Sequence, residues 1–227
     1  MNGYFSAKSV LERVVSAVVV TRESRIDAES WALHPEEEPY GIDAGEVRRR
    51  EFAAGRTLAR RALASLQVPP GPVLRNTQRV PLWPPGTTGS ISHTASWCGV
   101  AVARTSALRS IGIDGEHPIE HRVRESVLEL ICRPAERDFV HRSAGERQRS
   151  VRAALLFSAK ESLHKCRFPH QREFLEFTDV EVEVDLASGS FIARLANLSP
   201  SSAEPPVWPG RFAIGRDLVV TAVEWPA

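Results

Sequence analysis

Cysteine is scarce in this chain: Cys98, Cys132 and Cys166 are the only three, widely spaced and without a CxxC pair. That pattern excludes a disulfide framework and the usual zinc sites, and it fits reduced core thiols in a cytoplasmic protein. Long apolar runs are missing as well. The longest early one, Val14 to Val20, is interrupted by Ser16 and follows Glu12 and Arg13. It is too short to cross a membrane, lacks the layout of a secretory signal, and reads as a buried strand. No excess of one charge is present either: 29 basic residues stand against 28 acidic ones. A protein that coats nucleic acid needs a basic excess to displace counterions from phosphates, so that class is excluded and any anion site must be local. Lysine is as scarce as cysteine, for only Lys8, Lys160 and Lys165 interrupt the arginines.

What remains is ordinary globular material, 42% hydrophobic and 25% charged, enough to build a sizeable core. A polar stretch from Arg22 to Gly45, with Pro35 and Pro39, reads as loop. From Glu46 to Leu66 the apolar residues Phe52, Ala59, Leu63 and Leu66 recur at helical spacing. After a proline and glycine run come three short strands, Ser90 to His93, Cys98 to Ala103 and Ser110 to Glu116, predicted as an antiparallel meander. Helices are predicted over Arg122 to Cys132, Pro134 to Arg142 and Ser150 to Cys166. The tail alternates as strands at Val180 to Asp185 and Phe191 to Leu195, then passes a proline-rich loop, Pro200 to Pro209, into a last strand, Leu218 to Trp225. This order is α+β, with two halves meeting near residue 110, at 1–110 and 111–227.

Four segments carry groups suited to chemistry. Lys160, Glu161 and Lys165 lie on one helix, with Glu161 four residues before Lys165 and on the same face. This suits a base beside an acid, or simply a surface salt bridge. Because arginine serves every generic positive charge, lysine here looks selected as a compact charge able to give up a proton. In Ile111-Gly112-Ile113-Asp114-Gly115-Glu116, alternation sends Asp114 and Glu116 to the face that Gly112 clears, as two ligands for Mg²⁺ or as solvated acids at a strand end. Gly89-Ser90-Ile91-Ser92-His93-Thr94 offers hydroxyls and an imidazole as an anion cradle or a buried polar strand end. Ser92 and His93 are adjacent on a strand and face opposite ways, so they make a poor nucleophile and base. Lastly, Arg48, Arg49, Arg50, Arg56, Arg60 and Arg61 oppose only Glu46 and Glu51 on one helix, as a phosphate dock or a solvated face.

In order and spacing these segments resemble the phosphopantetheinyl transferase family, especially its siderophore and polyketide subgroup. The matching stretches are Arg48-x-x-Glu51-Phe52-x-x-Gly55-Arg56, Trp83-Pro84-x-Gly86-x-x-Gly89-Ser90-Ile91-Ser92-His93, Gly112-Ile113-Asp114-x-Glu116 and Phe157-Ser158-Ala159-Lys160-Glu161-Ser162-x-x-Lys165. The resemblance implies a pseudo-twofold α+β fold of two lobes, each a small antiparallel sheet packed on helices, with coenzyme A and Mg²⁺ in the cleft between them. By that likeness Arg48, Arg56, Arg79, Ser92 and His93 bind the nucleotide phosphates. Asp114, Glu116 and Glu161 gather the metal. Lys160 and Lys165 stabilise the departing 3′,5′-ADP, and Glu161 takes the proton of a serine on an apo acyl or peptidyl carrier protein. A monomer is expected, with no nucleic-acid or membrane partner, and a partly basic carrier dock near Arg167 and Phe168. Two departures stand out: Gly115, where relatives carry a larger residue, and His164, where tyrosine is common. A non-catalytic coenzyme A or nucleotide binder and a metal-dependent phosphohydrolase are the rival classes.

Overall fold

A computed structural model describes residues 9–40, 45–118, 125–196 and 204–227. Twelve main elements follow in order: β1 (Val20–Arg25), α1 (Glu46–Ser65), β2 (Thr87–His93), β3 (Trp97–Arg104), β4 (Leu108–Glu116), α2 (Glu125–Ile131), α3 (Pro134–His141), α4 (Glu146–Gln171), β5 (Val180–Asp185), β6 (Ser190–Leu195), β7 (Trp208–Ile214) and β8 (Val219–Pro226). The strands form two antiparallel sheets, one in the order β1-β3-β2 and one in the order β4-β8-β7-β6-β5. The fold class is α+β.

Each sheet buries one face under a long helix. Ala54, Leu58, Ala59, Ala62 and Leu63 of α1 close over Cys98, Val100 and Val102 of β3. On α4, Leu155, Leu156, Ala159 and Leu163 close over Phe191, Trp208, Val219 and Val223. A third cluster, with Leu11, Val14 and Trp97 against Ile111, Ile113, Val220 and Ala222, joins the two sheets.

The structure departs from the sequence reading at four places. Val14 to Val20 is not a strand. Leu11–Arg13 forms a 3₁₀ turn that aims Leu11 and Val14 inward at i, i+3, and the strand begins only at Val20. That strand, β1, takes the first residues of the expected loop, and its polar sequence fits an edge position. The expected meander breaks after β3, because β4 leaves for the other sheet and pairs with β8. β7 occupies the end of the expected proline-rich loop: Trp208, Gly210 and Phe212 point inward, while Pro209 falls on an exposed position. Residues 122–124 of the expected second helix and 200–203 of that loop lie outside the described residues.

Candidate active site

The two halves are stitched by side chains. Ser90 Oγ accepts the Ile113 N–H at 3.1 Å and Ser92 Oγ accepts the Gly115 N–H at 3.2 Å, so β2 lies alongside β4 without a backbone ladder. Behind β4, α4 approaches so closely that a Cβ at Gly112 would stand 1.9 Å from the Ser162 carbonyl oxygen and 2.5 Å from the Cys166 nitrogen. Only glycine admits that crossing. Gly115 has a related cause: a Cβ there would meet the Trp97 ring at 2.4 Å, so the glycine makes room for a tryptophan of the inter-sheet core.

The Gly112 crossing brings α4 to Asp114. Asp114 Oδ1 accepts from Lys165 Nζ at 2.5 Å and from Ser92 Oγ at 2.9 Å, while its buried Oδ2 has no partner among the described residues. Lys165 thus reaches across to β4 rather than forming the surface pair with Glu161. Burial pushes the Glu116 carboxyl up to about 7, helped by Asp114 and Glu161 nearby. Burial also raises Glu161, with Lys165 opposing and Asp114 adding to the shift. Three acids therefore share a poorly solvated neighbourhood with one lysine. As arranged, they do not close around a common point, and no ready-made cluster of three metal-ligating side chains occurs among the described residues.

Beside this junction opens a cavity of about 680 Å³ with walls from both halves. Arg48, Arg56, Arg75, Arg79 and His93 line it from one side, and His164, Lys165, Phe168 and Phe174 from the other. Arg56 is 5% exposed and stacks on the Phe52 ring at 4.4 Å, with its Nε unpartnered among the described residues. Burial lowers its pKa to about 10, the mark of a cation removed from water, with the Glu37 carboxylate opposing the shift only in part. Arg48 Nη1 and His93 Nδ1 both approach Glu51, at 3.6 and 3.5 Å, and burial above all pushes His93 below its usual value. Arg75 packs over Tyr40 and Phe52. Asn76 Oδ1 accepts the N–H groups of Gln78 and Val80 and so fixes the loop that presents Arg75 and Arg79.

Several sequence-predicted residues sit elsewhere. Arg49, Arg60 and Arg61 are matched by Glu38, Glu37 and Glu29, so of the arginine helix only Arg48 and Arg56 line the cavity. The acids come from the stretch read as loop, and they dissolve the expected local excess of charge. Ser92 stands behind the cavity wall, holding Asp114. Lys160 is corrected as a phosphate contact: it is buried, and its three donors go to Ile131, Glu136 and Phe177. Arg167 is likewise buried between Glu204 and Glu173, so it offers no docking charge, and Phe168 lines the cavity instead. Arg75 was not foreseen. Its signal was modest: an arginine before Asn76, within a proline and glycine run.

Comparison with known proteins identifies the family. Residues 36–103 match the 4′-phosphopantetheinyl transferase N-terminal domain and residues 110–221 the 4′-phosphopantetheinyl transferase superfamily. The chain is 38% identical over 193 residues to 4′-phosphopantetheinyl transferase Svp of Streptomyces mobaraensis, covering 84% of this chain and 78% of that protein. It is 35% identical over 227 residues to 4′-phosphopantetheinyl transferase PptT of Mycobacterium tuberculosis, covering 95% and 96%. Over 122 residues it is 34% identical to enterobactin synthase component D of Salmonella typhi, covering 54% and 49%. The chain belongs to the 4′-phosphopantetheinyl transferase family and moves phosphopantetheine from coenzyme A to a carrier protein.

Proposed function

We propose that the cavity holds coenzyme A with its nucleotide phosphates on Arg48, Arg56, Arg75, Arg79 and His93, and that transfer takes place at Asp114, Glu116, Glu161 and Lys165. The observation that carries this reading is the Lys165–Asp114 contact at the junction of the halves, beside a cavity that the described residues line with four arginines and His93 against the single acid Glu51. Such cations suit pyrophosphate and a 3′-phosphate, since charge-assisted hydrogen bonds favour arginine forks.

Mg²⁺ fits the acids. A buried, unpartnered Asp114 Oδ2 and a Glu116 carboxyl pushed up to about 7 both call for added positive charge. Mg²⁺ commonly takes one or two carboxylates and fills its other positions with water and phosphate oxygens, so three preformed ligands are not needed. Asp114, Glu116 and Glu161 would hold it, and there it would supply charge neutralisation beside the pyrophosphate.

Glu161 accepts the proton of the carrier serine, directly or through a water. The burial that raises its pKa also makes it a stronger base than a solvated glutamate. The serine oxygen bonds to the β-phosphorus of coenzyme A as the bond from that phosphorus to the bridging oxygen breaks, and 3′,5′-ADP leaves. Lys165 lies within reach of both Asp114 and the cavity, and it balances charge on the leaving phosphate. Both walls of the cavity come from one chain, which supports action as a monomer. The likeness to an enterobactin synthase component supports carriers of siderophore assembly, and polyketide carriers are chemically equivalent acceptors.

Intact-protein mass spectrometry of apo siderophore and polyketide carriers, incubated with this protein, coenzyme A and Mg²⁺, tests the reading. One phosphopantetheine per carrier, abolished by EDTA and restored by Mg²⁺, is expected. Transfer that persists in EDTA would remove the metal from the account.

A further inference from the structure

Lys160 is one of three lysines in the chain, and it does not reach the cavity. Its side chain is 1% exposed, and Nζ donates to the Ile131 carbonyl at 2.8 Å, Glu136 Oε2 at 2.7 Å and the Phe177 carbonyl at 2.8 Å. An ammonium has three protons, so every one is used. Glu136 is equally engaged: Oε1 accepts the Val182 N–H at 2.7 Å, and Oε2 also accepts the Arg133 N–H at 2.7 Å. The end of α2, the start of α3, the 3₁₀ turn Phe177–Asp179 and the strand β5 are thus all tied to one point on α4.

Stability alone does not account for this hub. A buried ion pair loses much of its attraction to desolvation, and apolar residues of similar volume are often as stable or more so. Directional bonds do supply what apolar contact lacks, a fixed rotation of the helix about its own axis. On a helix about 10 Å across, a turn of roughly 20° moves a surface carboxylate by about 2 Å. A misplacement of about 1 Å at reacting groups can cost about a hundredfold in rate. Glu161, the next residue, stands about 100° around the helix from Lys160, and Lys165 about 40° further on, so both depend on the same rotation.

We propose that Lys160, acting through Glu136, is a positioning residue that sets the rotation of α4 and so keeps Glu161 and Lys165 at the transfer site. It rests on the reading of Glu161 and Lys165 given under Proposed function. Lys160 touches neither coenzyme A nor the carrier serine. It acts only through the helix.

The test compares the wild-type protein, Lys160→Met/Glu136→Gln, Glu136→Gln and Glu161→Gln by steady-state transfer to an apo carrier, calorimetric binding of coenzyme A and thermal melting. In the double variant the amide keeps an acceptor for the Val182 N–H while the ammonium bonds are gone. Its kcat is expected to fall by at least about tenfold, with KM and Kd for coenzyme A within about twofold of wild type, because the arginines of α1 and the Arg75 loop are untouched. Glu136→Gln alone is expected to show the same split to a smaller degree, and it decides the matter should the double variant not fold. Wild-type kcat in the folded variant read, or a fall in kcat matched by an equal loss of coenzyme A binding, would overturn the proposal. Glu161→Gln separates the two levels of argument: its full activity removes the reading of the base, whereas its inactivity beside a fully active double variant removes only the positioning role.

Discussion

Arg56 shows at the scale of a single residue how the site opposes folding. It is buried, stacked on Phe52, depressed to about 10 by burial, and joined to no carboxylate by an ion pair among the described residues. Arg56→Ala is expected to weaken coenzyme A binding by roughly 10- to 100-fold, the worth of a charged hydrogen bond of about 1.5–3 kcal/mol. The melting temperature of the ligand-free variant should stay level or rise, which calorimetry of both states would check. Glu116 makes a second prediction through pH. Its pKa in the folded protein, about 7, lies above the ordinary 4.5, so the folded state holds a proton that the unfolded chain gives up. Stability from this group is complete below pH 4.5 and is lost as pH rises through 7. Melting curves of the metal-free protein across that window should slope downward, and Glu116→Gln should flatten the slope. An unchanged slope would mean that Glu116 titrates normally. Lysine scarcity made Lys165 legible in the sequence. It marked Lys160 equally, although residues five apart on a helix sit about 140° apart and cannot share a narrow face.

Between elements, the decisive contact is α4 on β4 at Gly112. A methyl group there would press on the Ser162 carbonyl at 1.9 Å, a rigid backbone atom, so the helix must move. Gly112→Ala is expected to cost about 1–3 kcal/mol or more in chemical denaturation, as overpacking does, and to lower transfer further by separating Lys165 from Asp114. A variant as stable and active as wild type would show that the approach of α4 is not what assembles the site. The long elements were legible because periodicity is strong over many residues: α1 was read as Glu46 to Leu66 and ends at Ser65. Short elements were not. Leu11 and Val14 satisfy a 3₁₀ turn as well as a strand, and β7 hides behind Pro209, which an exposed strand position tolerates.

For the molecule as a whole, the sequence order suggested a meander, and the structure divides it. β2 and β3 stay with α1, while β4 crosses to β8 at the far end of the chain. Nothing local in Ser110 to Glu116 names its partner, since a strand buried on both faces pairs with whichever edge the fold supplies. The cavity exists because of that crossing, with cations from one half facing Lys165 and the aromatic side chains of the other. Acids from Glu29 to Glu38 pair with Arg49, Arg60 and Arg61 of α1, while Arg48 and Arg56 of the same helix line the cavity. The most direct test of the account is Glu161→Gln, read both by carrier mass shift and by coenzyme A calorimetry. Loss of transfer by at least about a hundredfold with coenzyme A binding retained is the predicted result, within the range general-base removal produces; transfer near the wild-type rate would contradict it.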